Sequence, residues 1–196
     1  TDGGGVMGER IEYICAPADE NALVGQTETV MQTDYYFRGE ELMLTDDSGE
    51  TWVASGLTTK QLEETKAVYG QGNMIPENSV YADGNGMFAV FWGETPTLHV
   101  SKDDGETWTD FVFQEEYPRL CTSRIVRFLD PENGYVGLGT DWSMGTGGAT
   151  YIGWTHDGGA TWETTPVAVE NGWILSGLAF ADQSAGMLTM DEQIGR

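Results

Sequence analysis

The chain has 196 residues, of which 39% are hydrophobic and 27 are glycine, a composition typical of a folded β protein that is rich in turns. Nine Lys and Arg against 32 Asp and Glu give a formal net charge of −23, which would repel a phosphate backbone and argues against nucleic acid as a partner. The sequence contains no apolar run of about 18 residues, so no membrane span is predicted.

The chain opens with Thr1-Asp2 and three glycines, and residues 1–9 are predicted to be a flexible lead-in. A start without Met favours an exported protein, extracellular or on the cell surface, from which an upstream segment has been removed. Cys15 and Cys121 are far apart in the sequence and show no metal-site spacing. We expect buried thiols in strands, with one disulfide as the alternative.

One eight-residue pattern occurs three times, as TDDSGETW, SKDDGETW and THDGGATW. The copies begin at residues 45, 101 and 155, so they are 56 and 54 residues apart, and they share the template Ser/Thr-x-Asp-x-Gly-x-x-Trp. Apolar or alternating runs flank each copy, which predicts two strands joined by the pattern. The Asp and Ser/Thr oxygens can accept backbone N–H groups and Gly permits positive φ, so the pattern is predicted to close a hairpin. We call it the repeated turn.

A second hairpin is predicted before each repeated turn, as an apolar run, an Asp, a short polar turn and another apolar run. These runs are 11–15 with 22–25, 79–81 with 87–93, and 124–129 with 134–139. Each period therefore holds four antiparallel strands. A sheet of this kind buries both faces only by stacking on its neighbours, as the blades of a β-propeller do.

The predicted fold is all-β, a propeller of four-stranded antiparallel blades over residues 10–196. The blades span 10–57, 66–114 and 123–170, and a partial blade spans 172–196, which makes about three and a half. The half blade leaves an open edge, so we expect additional blades from the rest of a longer chain or from another chain. Completion by residues 1–10 is the less favoured alternative. Residues 58–66 are predicted to form a short helical connection.

The repeated turns, together with RIVRFLDPENGYVGLG and YIGWTHDGGATW around the third copy, resemble Asp-box (BNR) repeats. These repeats occur in sialidases, sortilin-type receptors, xyloglucan-active glycosidases and photosystem II assembly factors, and the last family is the most similar. The resemblance covers about residues 10–190 and implies a propeller whose Asp-boxes lie opposite the ligand site. It implies that Asp47, Asp103 and Asp157 are structural. Independently, the pattern lacks the alternating ligands of an EF-hand, and two histidines are too few for a histidine cluster, so no metal or cofactor is predicted.

Loops between second and third strands and between blades should emerge opposite the repeated turns, because adjacent strands alternate in direction. Three of these loops, 26–40, 114–123 and 140–149, carry aromatic and basic residues suited to sugar rings and carboxylates. The candidate binding residues are Tyr35, Tyr36, Arg38, Tyr117, Arg119, Arg124 and Trp142. The alternative is that the aromatic residues fill gaps between sheets and that each Arg pairs with a local carboxylate, for which Glu115, Glu116 and Asp130 are candidates.

The sequence leads to two main hypotheses about function. The preferred one is a non-catalytic module that binds a protein segment or a glycan on the loop side; the alternative is a glycoside hydrolase of sialidase-like or related type. A sialidase should show arginines from separate blades and an Arg-Ile-Pro motif, whereas here Arg119, Arg124 and Arg127 cluster and the motif is absent. A catalytic carboxylate pair is left open by the many acids. A purely structural repeat segment is the third interpretation.

Overall fold

The computed structural model describes residues 23–26, 34–63, 75, 78–93, 95–113, 121–140, 149–168, 173–182 and 184–192. Within these residues the chain forms three four-stranded antiparallel sheets, one two-stranded sheet and a single short helix. Consecutive strands pair with one another in every sheet, so the order in each sheet is the order in the chain. No helix among the described residues is both long enough and apolar enough to cross a membrane.

The first sheet consists of β1 (Leu23–Gln26), β2 (Asp34–Arg38), β3 (Glu41–Thr45) and β4 (Val53–Thr58). β2 and β3 pair closely around a turn at Gly39 and Glu40. This corrects the prediction that residues 26–40 form a loop that joins the strand 22–25 directly to the strand 41–44. The run Tyr35-Tyr36-Phe37 consists of aromatic residues that favour strands, and it is the second strand. Residues 11–15 lie outside the described residues.

Helix α1 (Thr59–Glu63) follows β4, at the position predicted for a short helical connection. The second and third sheets then have the predicted strand order. The second sheet contains β5 (Val80–Ala82), β6 (Phe88–Trp92), β7 (Thr97–Ser101) and β8 (Thr109–Val112), and the third contains β9 (Cys121–Phe128), β10 (Gly134–Thr140), β11 (Thr150–Thr155) and β12 (Glu163–Val167).

The last sheet contains two strands, β13 (Trp173–Asp182) and β14 (Ala185–Glu192), which pair around the turn at Asp182. They correspond to the first and second strands of the three complete sheets. The half blade predicted from the sequence is therefore confirmed in its strand content.

Successive sheets pack face to face, with an apolar cluster between each neighbouring pair. The strand period of two makes this possible: in β6, Phe88 and Val90 face the first sheet, whereas Ala89 and Phe91 face the third. Each large side chain buried in this way stabilises the stack by about 1.5–3 kcal/mol. Members of the three clusters are Leu42, Leu44 and Phe88; Phe91, Val126 and Leu138; and Ile125, Tyr135 and Leu175. The arrangement is that of a β-propeller with three blades and half of another.

Candidate functional site on the face opposite the repeated turns

Strand connections divide the sheet ends into two faces. The turn face carries the repeated turns and the connections between first and second strands, such as those at Asp83 and Asp130. The loop face carries the connections between second and third strands, such as those at Gly39-Glu40 and at the described residues 93, 95 and 96, and helix α1. The alternation of strand direction thus sorts the connections as predicted.

Each repeated turn is closed by the same hydrogen bonds. In the second copy, Ser101 Oγ accepts from the Gly105 N–H at 2.9 Å, and the Asp103 carboxylate accepts from Thr107 N and Thr107 Oγ1 at 2.9 and 2.6 Å. The first and third copies repeat these bonds, with Thr45, Asp47 and Thr51 and with Thr155, Asp157 and Thr161. The pattern therefore closes hairpins, as predicted.

The lowered pKa values of Asp carboxylates in the repeated turns agree with this role in closing the hairpins. Side-chain and backbone hydrogen bonds from Thr51 lower the pKa of Asp47 to about 2, and those from Thr161 lower the pKa of Asp157 to about 2. In the second and third copies the Trp that ends the pattern covers the turn, because Trp108 Nε1 donates to Gly105 O at 3.2 Å and Trp162 Nε1 donates to Gly159 O at 3.0 Å. The carboxylates are thus ionised acceptors within their own hairpins.

A cleft of about 210 Å³ lies on the turn face between the second and third repeated turns. Lys102 lines it and donates from Nζ to Asp157 O at 2.9 Å, which joins the two turns directly. Among the described residues, no group of three or more His, Cys, Asp or Glu side chains is placed to hold a metal ion. The second and third repeated turns are therefore linked across the turn face by a contact between blades.

Three of the predicted site residues lie on β2. Tyr35 and Tyr36 are buried on opposite sides of the first sheet: Tyr35 belongs to the cluster facing the second sheet, and the Tyr36 ring meets the Trp52 ring edge-on at 4.5 Å between centroids. Burial raises the pKa of Tyr35. Arg38 is exposed at the loop face and pairs with Glu41 at 3.0 Å. Of the three, Arg38 alone is accessible to a ligand.

Arg124, on β9, is the predicted site residue with the most unusual surroundings. It is 1% exposed, and its Nη2 donates to Gly93 O of the second sheet at 2.7 Å. Its Nε is buried without a hydrogen-bond partner, and no ion pair to it is found among the described residues. Burial lowers the pKa of Arg124, opposed in part by the nearby Cys121. The guanidinium is a cation held between two sheets at the loop-face end.

Arg127 is only three residues away, yet it has a different role. Its Nη2 donates to Asn78 Oδ1 at 2.7 Å and its Nη1 donates to Asn78 O at 3.2 Å, so it ties the third sheet to the second. Asp130, which had been a candidate partner for an arginine, instead accepts from Asn133. The described arginines of the third sheet therefore contact amide and carbonyl groups rather than carboxylates.

The structure describes four of the seven candidate binding residues. Tyr117, Arg119 and Trp142 lie outside the described residues, as do Glu115 and Glu116. Arg38 and Arg124 belong to different sheets and share no described contact. The described loop-face residues of the second and third sheets, 93, 95–97, 113, 121, 140, 149 and 168, include no Asp or Glu.

One bridging residue was not anticipated from the sequence. His99 Nδ1 lies 2.5 Å from Asp110 Oδ1, its Nε2 lies 2.8 Å from Ser55 O of the first sheet, and its ring stacks on Trp108 with centroids 4.4 Å apart. His99 thus links the first two blades. His99 lies in the run 97–100 that was predicted to be a strand, but its contact with Ser55 spans 44 residues, and no local feature of the sequence indicates it.

The fold and these contacts define the class of protein, a β-propeller module assembled from repeated four-stranded blades. No family model matches the sequence, and no curated protein matches it. Among solved structures, YCF48 from Cyanidioschyzon merolae is similar at 16% identity and a TM-score of 0.47, over 87% of this chain and 48% of that one. A structure of YCF48 bound to D1 peptide is similar at 19% identity and a TM-score of 0.41, over 86% and 51%. The chain spans about half the length of these structures.

Proposed function

We propose that the chain is part of an Asp-box β-propeller without catalytic activity, whose loop face binds a protein segment through a carboxylate that reaches Arg124. The buried, incompletely bonded guanidinium of Arg124 carries this proposal. Among the described residues the guanidinium has one acceptor, the carbonyl of Gly93, so little of its lost hydration is replaced there, and a carboxylate would offset part of this penalty of several kcal/mol. Its planar donors suit a bidentate carboxylate.

The net charge of the chain limits the kinds of protein segment that can bind. With a net charge of −23, the chain repels acidic polypeptides and attracts basic ones over distances of about a Debye length, roughly 8–10 Å. The favoured partner is therefore a neutral or basic segment that carries one carboxylate for Arg124. A protein segment supplies both charges, whereas an acidic glycan supplies the carboxylate alone. The protein partner is thus favoured over the glycan, and no described residues favour the hydrolase alternative.

Binding of two blocked peptides tests this proposal. The probes are Ac-Lys-Ala-Ala-Glu-Ala-Ala-Lys-amide and the same peptide with Gln in place of Glu, titrated into the full chain by calorimetry. Because a charge-assisted hydrogen bond contributes about 1.5–3 kcal/mol, the Glu peptide should bind about 10- to 100-fold more tightly than the Gln peptide. Equal binding of the two, or binding of neither, would contradict the proposal.

Three variants test whether Arg124 is responsible for the preference for the Glu peptide. Arg124→Gln should remove the preference for the Glu peptide, and Arg124→Lys should retain part of it. The matched control is Arg38→Gln, a change at the exposed loop-face arginine, which should leave the preference unchanged. Hydrogen exchange of the core strands confirms that each variant is folded. A preference that survives Arg124→Gln in a folded protein would place the carboxylate elsewhere.

A further inference from the structure

His99 lies at the junction between the first and second sheets. The alternation of side chains along β7 directs Leu98 and Val100 towards the third sheet, so His99 between them points towards the first sheet. Asp110 is directly opposite His99 in the antiparallel register of β7 and β8, and such partners project from the same face of a sheet. The imidazole and the carboxylate therefore meet at the first sheet, where Ser55 O of β4 is also within hydrogen-bond distance.

Both ring nitrogens of His99 face oxygen atoms that accept hydrogen bonds and cannot donate them. Nδ1 lies 2.5 Å from Asp110 Oδ1, and Nε2 lies 2.8 Å from Ser55 O. An ionised carboxylate and a backbone carbonyl are both acceptors. A neutral imidazole has one N–H, so it can donate to one of these oxygens but turns a lone pair towards the other. The imidazolium form has two N–H groups and donates to both oxygens at once.

The ring of Trp108 favours the same charged form. The imidazole stacks on it with centroids 4.4 Å apart and an interplanar angle of 2°. The face of an indole ring carries the negative part of its quadrupole and therefore attracts a cation. Because the His99 side chain is only 12% exposed, water screens this attraction incompletely.

Few other charged groups surround the ring. Strands β4 and β6 contain no ionisable side chain, and β7 and β8 contain none besides His99 and Asp110. Trp108 ends the second repeated turn, in which the Asp103 carboxylate accepts within its own hairpin and Lys102 donates to the third repeated turn. Among the described residues, Asp110 is therefore the charged partner of the imidazole.

We infer that His99, Asp110 and Ser55 O form a pH-sensitive contact between the first and second blades, which is complete when the imidazole carries two protons and weakens when it loses one. An imidazole ordinarily changes its charge near about pH 6.5. Since the protonated form makes both hydrogen bonds, the contact stabilises the junction at lower pH, and this contribution is lost as the pH rises through neutrality. The contact is separate from Arg124 and does not depend on the proposed function.

Backbone hydrogen exchange of the full chain at about pH 5.5 and about pH 7.5 tests the inference, with each rate divided by that of an unstructured chain because the chemical step itself depends on pH. Protection of the amides in β4 should be about 5- to 10-fold higher at the lower pH. This is less than a buried charge-assisted hydrogen bond would give, because the Asp110 side chain is 51% exposed. Strand β10 of the third sheet reports any effect of pH on the whole chain, and its protection should change by less than about 2-fold.

Two histidine variants assign the effect. His99→Gln removes the titrating group but keeps an amide that can donate to Ser55 O, so the protection of β4 should then change with pH no more than that of β10 does. The matched control is His156→Gln, because His156 is the other of the two histidines in the chain. His156 Nδ1 lies 2.9 Å from Asn133 Oδ1 of its own blade, so this variant should keep the pH effect in β4. Persistent protection of β10 confirms that each variant is folded.

Asp110→Asn separates a contact that depends on protonation from one that is merely structural. An Asn amide can donate to Nδ1, so a neutral imidazole can then accept at Nδ1 and donate from Nε2 to Ser55 O. Both contacts are satisfied at about pH 7.5, and the difference in β4 protection between the two pH values should disappear. The substitution is made at a half-exposed side chain, which leaves the apolar clusters unchanged.

Four results would overturn the inference. The first is that β4 and β10 respond to pH alike in the natural protein. The second is that the pH effect on β4 survives His99→Gln in a folded protein, and the third is that it survives Asp110→Asn at full size. The fourth is that it disappears in His156→Gln, which would assign the effect to the third blade.

Discussion

At the scale of single residues, the repeated turns show local chemistry that a short sequence pattern specifies completely. Every group that closes the third hairpin lies within seven residues, from Thr155 to Thr161. Gly159 has a φ of 94°, which explains the invariant glycine of the template, since a side chain there would be strained. These carboxylates are structural because both of their oxygens already accept hydrogen bonds.

The first prediction concerns Asp157 and pH. Its pKa is lowered to about 2 in the folded protein, so its carboxylate contributes stability above the ordinary pKa of about 4, and that contribution is lost as the pH falls towards 2. Asp157→Asn should therefore lower the urea midpoint near about pH 6, and the difference from the natural protein should shrink below about pH 4. Urea unfolding across this range measures it.

The control for this prediction is Glu106→Gln, a change at an exposed carboxylate in the second repeated turn that closes no hydrogen bond of its own hairpin. Its midpoint should follow that of the natural protein at every pH. A difference for Asp157→Asn that stayed constant down to about pH 2 would show that the carboxylate form is not what stabilises the turn.

At the scale of strands and helices, some elements were predicted correctly from the sequence and others were not. The alternating runs beside the repeated turns were assigned to the correct strands in the second and third sheets. In the first sheet, Tyr35 and Tyr36 were assigned to a loop because aromatic residues near an Arg suit a ligand as well as a core. The pairing of β2 with β3 decided the matter, since it makes the segment a strand in which Tyr35 is buried against the second sheet and Tyr36 against Trp52.

The second prediction concerns the contact between the third sheet and the half blade. A Cβ at Gly137 would lie 2.8 Å from Leu175 Cδ2 and 3.1 Å from Leu178 Cδ2, so the glycine allows the two sheets to approach closely. Gly137→Val should destabilise this contact by about 1–3 kcal/mol, as overpacking generally does. Faster amide exchange in β13 and β14, with β6 and β7 unchanged, is the expected result.

Ala181→Val is the matched control for Gly137→Val, because Ala181 is exposed on β13 and faces no neighbouring sheet. It should leave amide exchange in the half blade unchanged. If Gly137→Val behaved in the same way as Ala181→Val, the close approach of the third sheet would not be what holds the half blade in place.

At the scale of the whole molecule, repulsion between negative charges opposes the packing of one sheet against the next. Apolar clusters between successive sheets hold the blades together, while a net charge of −23 over 196 residues repels within the compact state. The repeated turns bring carboxylates of adjacent blades onto one face, with Lys102 as a cation that bridges two of the turns. Changes of salt concentration or pH should therefore change the stability of all the stacked sheets together.

The third prediction follows from this balance. At about pH 7, raising NaCl from about 0.02 M to about 0.5 M should raise the thermal unfolding midpoint by several degrees, because screening weakens the repulsion more than it weakens apolar packing. The same change of salt at about pH 4, where carboxylates are partly protonated, should have a smaller effect. Calorimetry at both pH values measures the two shifts, and a midpoint at pH 7 that was unchanged or lowered by salt would contradict the argument.

The sequence by itself determined the turns, the period, the four-strand unit and the half blade, because each depends on residues that are neighbours along the chain or on alternation within a strand. The tertiary structure alone decided which side chains face a neighbouring sheet. Arg124 reaches Gly93 across 31 residues and His99 reaches Ser55 across 44. Such contacts depend on how the sheets stack. Stacking is driven by the burial of apolar surface, which is non-directional. The apolar pattern of the sequence therefore predicts that two sheet faces pack together, but it does not predict which polar groups come into contact when they do.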